Sequence, residues 1–156
     1  MSLESKNVVV FAATGSIGGV TAKHLAAQGA HVFVSGRDDA ALKELVEDIA
    51  GAGGQATAAV VDAIDEVAVT AYLDGVAGAG RIDGVFNAVG ATPEQLGYPA
   101  VSTELDLHTF FRPLHLILGS TFLTSRVAAK HMAAQGGGSI VTLSASAGPT
   151  CRGWPR

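Results

Sequence analysis

Short apolar runs alternate along the chain with longer segments in which apolar residues recur at helical spacing. Five runs, rich in valine, phenylalanine, isoleucine and alanine, predict β-strands: residues 8–12, 31–35, 58–61, 85–88 and 139–143. The first run contains no polar residue, which is typical of a strand that is covered on both faces.

The first two segments between these runs predict helices with recognisable ends. Residues 17–28 form the first, and Gly29 is expected to end it as a C-cap. The second begins at Asp38 or Asp39 as N-cap, and glycines between residues 51 and 54 break it. The apolar positions expected to face the core are Ile17, Val20 and Leu25 in the first helix, and Leu42, Leu45, Val46 and Ile49 in the second.

Two further helices follow. Asp65 opens one that buries Val69, Tyr72, Leu73 and Val76, and a long helix covers residues 113–135 before three consecutive glycines. Residues 90–106, between them, are polar and irregular. A segment of this length is either a binding loop or a tolerated surface insertion.

The alternation of strands and helices predicts the fold class. It indicates βαβ units with right-handed crossovers, hence an α/β fold with a parallel sheet between helical layers. The sequence shows no internal repeat and no linker between two domains, and 156 residues suit a single domain.

Composition excludes several functions. The net charge of −4 argues against nucleic acid and anionic membrane surfaces as partners, since both favour a basic face. One cysteine, Cys151, excludes a disulfide framework and a cysteine zinc site, and the five histidines show no metal-binding spacing. With no secretory leader and no membrane-length apolar stretch, a cytoplasmic location with no membrane partner is expected.

The turn after the first predicted strand is rich in small residues. It reads Ala12-Ala13-Thr14-Gly15-Ser16-Ile17-Gly18-Gly19. Small residues let a chain reverse, let backbone N–H groups approach a pyrophosphate, and let helix pack on strand, while the helix N-terminus attracts phosphate. The alternative is that the glycines serve only the tight turn.

Residues 10–18 resemble the GxxGxxG turn of the short-chain dehydrogenase/reductase family, with Ala12 in place of the first glycine, and the resemblance extends to about Gly148. It implies a Rossmann-like doubly wound parallel sheet of strand order 3-2-1-4-5 in three α/β/α layers. It also implies NAD(P) binding through Thr14, Gly15, Ser16, Ile17 and Gly18.

Three more positions match this family. Gly36 stands where NAD-preferring members carry an acidic residue, and Arg37 follows it, which favours NADP(H) over NAD(H) because a guanidinium can pair with a 2′-phosphate. Asp62 matches the aspartate that meets the adenine amino group. Asn87 matches the first asparagine of the NNAG segment, which lies along the nicotinamide ribose. Without the resemblance, Arg37 would be a solvated charge and Asp62 a polar residue at a strand end.

The family's Ser-Tyr-Lys catalytic set is incomplete. The resemblance places the serine at Ala145, so that only Ser144 or Ser146 could serve, after a shift of one residue. The supporting asparagine falls near Leu116 or Ile117. No Tyr-x-x-x-Lys occurs in the 156 residues, since Val76 follows Tyr72 and Ser102 follows Tyr98 at that spacing.

The sequence thus predicts a family oxidoreductase for a small-molecule carbonyl or alcohol, with this chain holding mainly the cofactor-binding half. Residues 1–149 would form an incomplete NAD(P)-binding domain, and residues 150–156 an atypical tail from a truncated or frameshifted reading frame, or a natural short tail. Weak or lost nucleotide binding and no measurable reduction are expected. The alternative is a non-catalytic dinucleotide-binding or sensor module.

Association between copies is also expected. The long fourth helix is apolar on most sides, and in relatives it packs across a subunit interface, while the fifth strand would be an exposed edge. The sequence therefore predicts a homo-oligomer or an aggregating chain.

Overall fold

The computed structural model describes residues 2–92, 95 and 103–143. The strands are β1 (Asn7–Phe11), β2 (His31–Gly36), β3 (Gln55–Val60), β4 (Gly84–Asn87) and β5 (Ser139–Thr142). The helices are α1 (Ser16–Ala27), α2 (Asp39–Gly51), α3 (Glu66–Ala79), α4 (Leu107–Pro113) and α5 (Ser120–Ala134), and a π-helical segment, Leu114–Gly119, joins the last two.

The five strands form one parallel sheet in the order β3-β2-β1-β4-β5, which confirms the predicted α/β class and strand order. Val10 at the centre of β1 pairs with Val34 of β2 on one side and Phe86 of β4 on the other. Because all strands run the same way, their carboxyl ends meet at one edge of the sheet.

Each face of the sheet is covered by its own apolar core. Successive side chains of a strand point to opposite faces. Val9 and Phe11 accordingly pack with residues of α3 and α5, while Val10 packs with residues of α1 and α2. The sheet therefore lies between two helical layers, which gives the three layers that the sequence predicts.

Helix starts agree with the sequence in two cases. Asp38, and not Asp39, caps α2, because its carboxylate accepts a hydrogen bond from the Ala41 N–H at 3.1 Å. Asp65 caps α3 by accepting from the N–H groups of Val67 and Ala68. Gly29 follows α1 with φ at +94°, as a glycine beyond a helix C-terminus commonly does.

The predicted buried face of α1 is wrong in part. Ile17 and Val20 are 56% and 70% exposed, and the buried residues are Gly18, Ala22 and Ala26. The helix packs closely on the sheet through small side chains, so its larger apolar residues are directed outward. The second and third helices bury Leu42, Leu45, Ile49, Val69, Leu73 and Val76 as predicted, with Val46 and Tyr72 at their margins.

The long helix begins six residues before the predicted start at Pro113. Asp106 caps α4 by accepting from the Thr109 N–H at 2.7 Å, and Pro113 lies inside the helical run. Proline has no N–H to donate to the carbonyl four residues earlier. The helix changes to π-type hydrogen bonding directly after it.

Several predictions concern residues outside the described part of the chain. These are both candidate serines, Ser144 and Ser146, the tail 150–156, and much of the segment 90–106.

β3 begins at Gln55, three residues before its predicted start, because alternating polar residues at the beginning of this strand hide the apolar pattern. All four residues of β5 are exposed, and within the described residues β4 is its one partner.

Candidate functional site

A cavity of about 420 Å³ lies where the strands end, above the carboxyl ends of β1 to β4. Of the eight predicted cofactor residues, seven line it: Thr14, Gly15, Ser16, Ile17, Gly18, Arg37 and Asp62. Its far wall is made by residues of the loop after β4, from Ala88 to Thr92, together with Gln95 and Leu116. The fold therefore brings together residues that lie far apart in sequence.

The turn after β1 begins at a backbone position that is unfavourable for alanine. Ala12 has φ of +54°, in the left-handed region where a Cβ crowds the following carbonyl. The Gly15 N–H then donates to the Ala12 carbonyl at 3.1 Å and closes the turn. The residue replacing the family's first glycine thus keeps a glycine-like conformation.

Two glycines let the helix and the turn approach each other. A Cβ on Gly18 would lie 2.4 Å from the Ala12 carbonyl oxygen and 2.9 Å from the Ala13 Cα. A Cβ on Gly15 would lie 3.3 Å from the same oxygen. Gly18 is therefore required for α1 to pack on β1, which places the first turn of that helix at the cavity.

The amino end of α1 has donors available for an anion. Its N-cap is Gly15, which has no side chain that could accept from the N–H groups of the first turn. These groups and the helix dipole create a site that favours phosphate. No acidic residue lies in that first turn. The helix terminus and the backbone of Gly15 and Gly18, which line the cavity, fit a pyrophosphate.

The β2 end of the cavity is shaped by Gly36. A Cβ there would lie 3.2 Å from the Thr14 hydroxyl oxygen, so a larger residue would press on the turn. Arg37, the next residue, is exposed and forms no ion pair with the described part of the chain. A free guanidinium beside the cavity can pair with a phosphate group.

Asp62, at the end of β3, has a local structural contact as well as its place in the cavity. Its Oδ1 accepts a hydrogen bond from the Ile64 N–H at 3.2 Å. This bond orients the carboxylate, and the other carboxylate oxygen has no partner among the described groups. The side chain could thus accept a further hydrogen bond from a ligand.

Asn87 does not line the cavity, although Ala88, Val89 and Gly90 after it do. Its side chain is buried and contacts the hydroxyls of Ser120 and Thr124 on α5. Sequence reasoning missed these two hydroxyls. The available signal was the position of Ser120 and Thr124 one helical turn apart, which places both on one face.

Neither tyrosine can be assigned an acid–base role from the geometry. Tyr72 lies on α3 within the core, edge-on to Phe11 with ring centroids 5.7 Å apart, and it does not line the cavity. Burial raises the pKa of the Tyr72 hydroxyl far above its usual range, more than the contact with Ser35 lowers it. Tyr98 lies outside the described residues.

The described residues, 2–92, 95 and 103–143, contain neither a metal-ligand cluster nor a helix that could span a membrane. Among them, no group of three or more His, Cys, Asp or Glu residues is arranged to hold a metal ion. No helix in residues 2–92 and 103–143 has the length and apolar character needed to cross a membrane.

Comparison with known proteins finds dehydrogenases among the relatives of this chain. The chain is 36% identical over 143 residues to the 7α-hydroxysteroid dehydrogenase of Clostridium sardiniense, covering 91% of this chain and 54% of that protein. It is 34% identical over 153 residues to the L-rhamnose 1-dehydrogenase (NAD(P)(+)) of Azotobacter vinelandii, covering 92% and 57%. The chain thus spans little more than half the length of these relatives.

A solved structure shows the same fold. A metagenomic short-chain oxidoreductase in complex with NADP superposes with a TM-score of 0.84 at 27% identity, covering 96% of this chain and 66% of that one. The family model described as short chain dehydrogenase matches residues 6–154, which is nearly the whole sequence. The chain therefore belongs to the short-chain dehydrogenase/reductase family.

Proposed function

We propose that residues 1–149 form the NADP(H)-binding domain of an oxidoreductase that interconverts a small-molecule carbonyl and an alcohol. The observation that carries this proposal is the cavity at the carboxyl ends of the strands. It combines the amino end of α1, the backbone of Gly15 and Gly18, and the Arg37 side chain. A bound nicotinamide cofactor would supply the hydride chemistry.

The preference for NADP(H) over NAD(H) rests on the end of β2. A carboxylate that could bind both ribose hydroxyls is missing at Gly36, and a Cβ there would lie 3.2 Å from the Thr14 hydroxyl oxygen. Arg37 offers a planar cation that can pair with a 2′-phosphate and stack on adenine. Asp62 would accept a hydrogen bond from the adenine amino group, and Asn87 would support the nicotinamide ribose through the loop that follows it.

The substrate class is proposed from the relatives. Their names describe dehydrogenases of a hydroxysteroid and of a sugar, both of which carry alcohol groups. Ser144 or Ser146 would orient the substrate oxygen, as the family serine does. The chain lacks a Tyr-x-x-x-Lys motif, so we expect the 156 residues alone to bind the cofactor weakly at most and without measurable turnover.

A second candidate is a dinucleotide-binding or sensor module without catalysis. Leu116 and Ile117 occupy the place of the supporting asparagine, and Leu116 lines the cavity with an apolar side chain. Ala88 and Val89 likewise replace two residues of the NNAG segment. The first change removes the amide that would support catalysis, the change at Ala88 removes a second amide, and the phosphate turn is left unchanged.

Cofactor titration tests the proposal. We expect NADPH to bind about 10-fold more tightly than NADH, and the Arg37→Gln variant to lose that difference, because one charge-assisted contact to phosphate accounts for it. Lys43→Gln is the matched control, since Lys43 is also an exposed cation, on α2, but pairs with Asp39. Equal affinity for the two cofactors in wild type would contradict the preference for NADP(H).

A second experiment separates the two candidates. The encoding DNA should be sequenced beyond the codon for Arg156 and translated in all three frames. A Tyr-x-x-x-Lys motif shortly downstream, with NADPH-dependent carbonyl reduction by the extended protein, would support the enzyme. An inactive extended protein that binds NADPH would support the binding module.

Homo-oligomer formation is part of the proposal. Large apolar side chains are exposed along α4, the π-helical segment and the start of α5: Leu107, Phe110, Phe111, Leu114, Leu118 and Phe122. We call this set the helix stripe. Exposed apolar side chains that recur at helical spacing favour burial against a second copy of the chain.

A further inference from the structure

The amide of Asn87 is buried at the end of β4, with 2% of its surface exposed. Its Oδ1 accepts a hydrogen bond from the Val89 N–H at 2.8 Å. Its Nδ2 donates to the Ser120 hydroxyl at 3.3 Å and to the Thr124 hydroxyl at 3.1 Å. The acceptor therefore faces the loop after β4, and the two donors face α5.

The two hydroxyls connect onward to helix backbone. Ser120 Oγ donates to the carbonyl of Ile117 at 3.2 Å, and Thr124 Oγ1 donates to the carbonyl of Ser120 at 2.8 Å. Both side chains are fully buried. Every polar group in this set thus has a partner, which is the condition under which a buried network fixes one arrangement.

The network ends at both sides in elements that form the cavity. Val89 lines the cavity directly and lies between Ala88 and Gly90, which line it as well. Ile117 lies in the π-helical segment and is adjacent to Leu116, another cavity residue. A chain of three hydrogen bonds therefore runs from the Val89 N–H through Asn87 and Ser120 to the Ile117 carbonyl.

We propose that Asn87 is a positioning residue that sets the distance between the loop after β4 and the π-helical segment, and with it the width of one end of the cavity. The inference rests on the proposed function, because that end is where the nicotinamide ribose would lie. The other end, formed by Gly36, Arg37 and Asp62, has no member in this network.

Because the network reaches only one end of the cavity, a positioning role of Asn87 can be distinguished from a general contribution to stability. Loss of the network should weaken binding of ligands that occupy the Asn87 end and leave ligands of the Arg37 end unaffected. NADPH reaches both ends, whereas adenosine 2′,5′-bisphosphate carries only the adenosine and phosphate groups. The ratio of the two affinities is therefore the quantity to measure.

Ser120→Ala is the main variant, because it breaks the connection to Ile117 and leaves the bond between Asn87 and Val89 in place. Ser120→Thr restores the hydroxyl and serves as the rescue. Ser35→Ala is the matched control: Ser35 is equally buried, donates to the Val10 carbonyl at 3.4 Å, and does not line the cavity.

In titrations followed by amide chemical shifts, we expect Ser120→Ala to weaken NADPH binding about 5-fold, as loss of one hydrogen bond does. Binding of adenosine 2′,5′-bisphosphate should change less than about 2-fold on the same scale. Ser120→Thr and Ser35→Ala should both keep the wild-type ratio. An equal loss for both ligands, or no loss for either, would overturn the proposal.

A second measurement keeps the inference independent of cofactor binding. In Asn87→Ala, hydrogen exchange of the Val89 amide should accelerate at least about 5-fold relative to the Val34 amide in the sheet centre, since its acceptor is gone. An unchanged ratio would overturn the inference even if the wild type binds NADPH. If the wild type binds neither ligand, the proposed function fails. The exchange ratio alone then decides whether Asn87 holds the Val89 amide in a hydrogen bond.

Discussion

The Cα of Gly18 lies so close to the end of β1 that a Cβ placed on it would be 2.4 Å from the Ala12 carbonyl oxygen. The contact is with backbone, which cannot move aside as a flexible side chain could. It explains why the small residues of this turn do more than reverse the chain. They bring the amino end of α1 to the place where a phosphate group would bind.

Gly18→Ala should therefore disturb both the packing and the site. We expect the free energy of unfolding to fall by about 2 kcal/mol or more, because an added methyl in a packed region forces backbone shifts. NADPH binding should fall with it. Chemical denaturation and cofactor titration measure the two effects.

The control for this variant is Gly75→Ala. Gly75 lies inside α3, and a Cβ there would meet nothing within 4 Å. That change should raise the free energy of unfolding by about 0.5–1 kcal/mol, because alanine is the better helix former. If Gly18→Ala were as stable as wild type, the close contact between α1 and β1 would be disproved.

Ala12→Gly should stabilise the protein. The left-handed φ of +54° costs alanine roughly 1 kcal/mol, and glycine adopts it without strain. After the entropy that glycine adds to the unfolded chain, we expect a net gain below about 1 kcal/mol. Thermal unfolding would show it as a rise of up to about 4 °C.

Ala13→Gly provides the comparison, since Ala13 is buried beside Ala12 and its φ is not positive. It should lose stability through the missing methyl and the added unfolded-state entropy. Equal losses at both positions would contradict the strain at Ala12.

Asp83 gives the stability a dependence on acid pH. Burial alone would raise the pKa of this carboxyl, but hydrogen bonds from the Asn7 N–H, Lys6 and Arg81 hold its pKa below the ordinary value. The resulting stability is present above the ordinary carboxyl pKa of about 3.8 and is lost as the pH falls through the lower folded-state pKa.

Asp83→Asn should consequently lower the free energy of unfolding by about 2 kcal/mol at pH 7, with the gap from wild type narrowing below about pH 4. Urea unfolding at a series of pH values measures this. Asp48→Asn removes an exposed pair with Lys23 and should change stability by less than about 0.5 kcal/mol. If the difference in the free energy of unfolding between wild type and Asp83→Asn stayed constant down to pH 3, the stabilising charge of Asp83 would be contradicted.

Self-association should depend on the helix stripe. Leu118 and Phe122 are 64% and 59% exposed and lie one helical turn apart. Leu118→Glu would place a charge in an interface formed by this surface, so the mass measured by light scattering after size-exclusion chromatography should drop toward that of one chain. Val67→Glu, at an exposed apolar residue of α3 outside the stripe, should leave the mass unchanged. A monomeric wild type would contradict the proposed oligomer.

Much of the fold follows from local patterns. Continuous apolar runs predict buried strands such as β1. The carboxylates of Asp38 and Asp65 predict helix starts, because each accepts hydrogen bonds from N–H groups two or three residues later. The outward direction of Ile17 and Val20 was not predictable in this way. It depends on the closeness of α1 to the sheet, which Gly18 sets through a tertiary contact.

In the candidate site, too, some residues could be predicted from the sequence and others depend on tertiary contacts. The family resemblance predicted seven residues that line the cavity, from Thr14 to Asp62, and they meet there because the carboxyl ends of parallel strands lie at one edge of the sheet. The partners of Asn87 could not be predicted, since Ser120 and Thr124 lie more than thirty residues away. The helix start at Leu107 was missed because Pro113 is a common first residue of helices and lies here in the interior.

Titration of the 156-residue protein with NADPH, followed by backbone amide shifts, shows whether the cavity binds a dinucleotide. We predict shifts confined to the residues of the cavity, from Thr14 to Gly18, at Arg37 and Asp62, and from Ala88 to Thr92, even if binding is weak. Shifts scattered over other surfaces, or no shifts at millimolar NADPH, would show that the cavity is not a dinucleotide site.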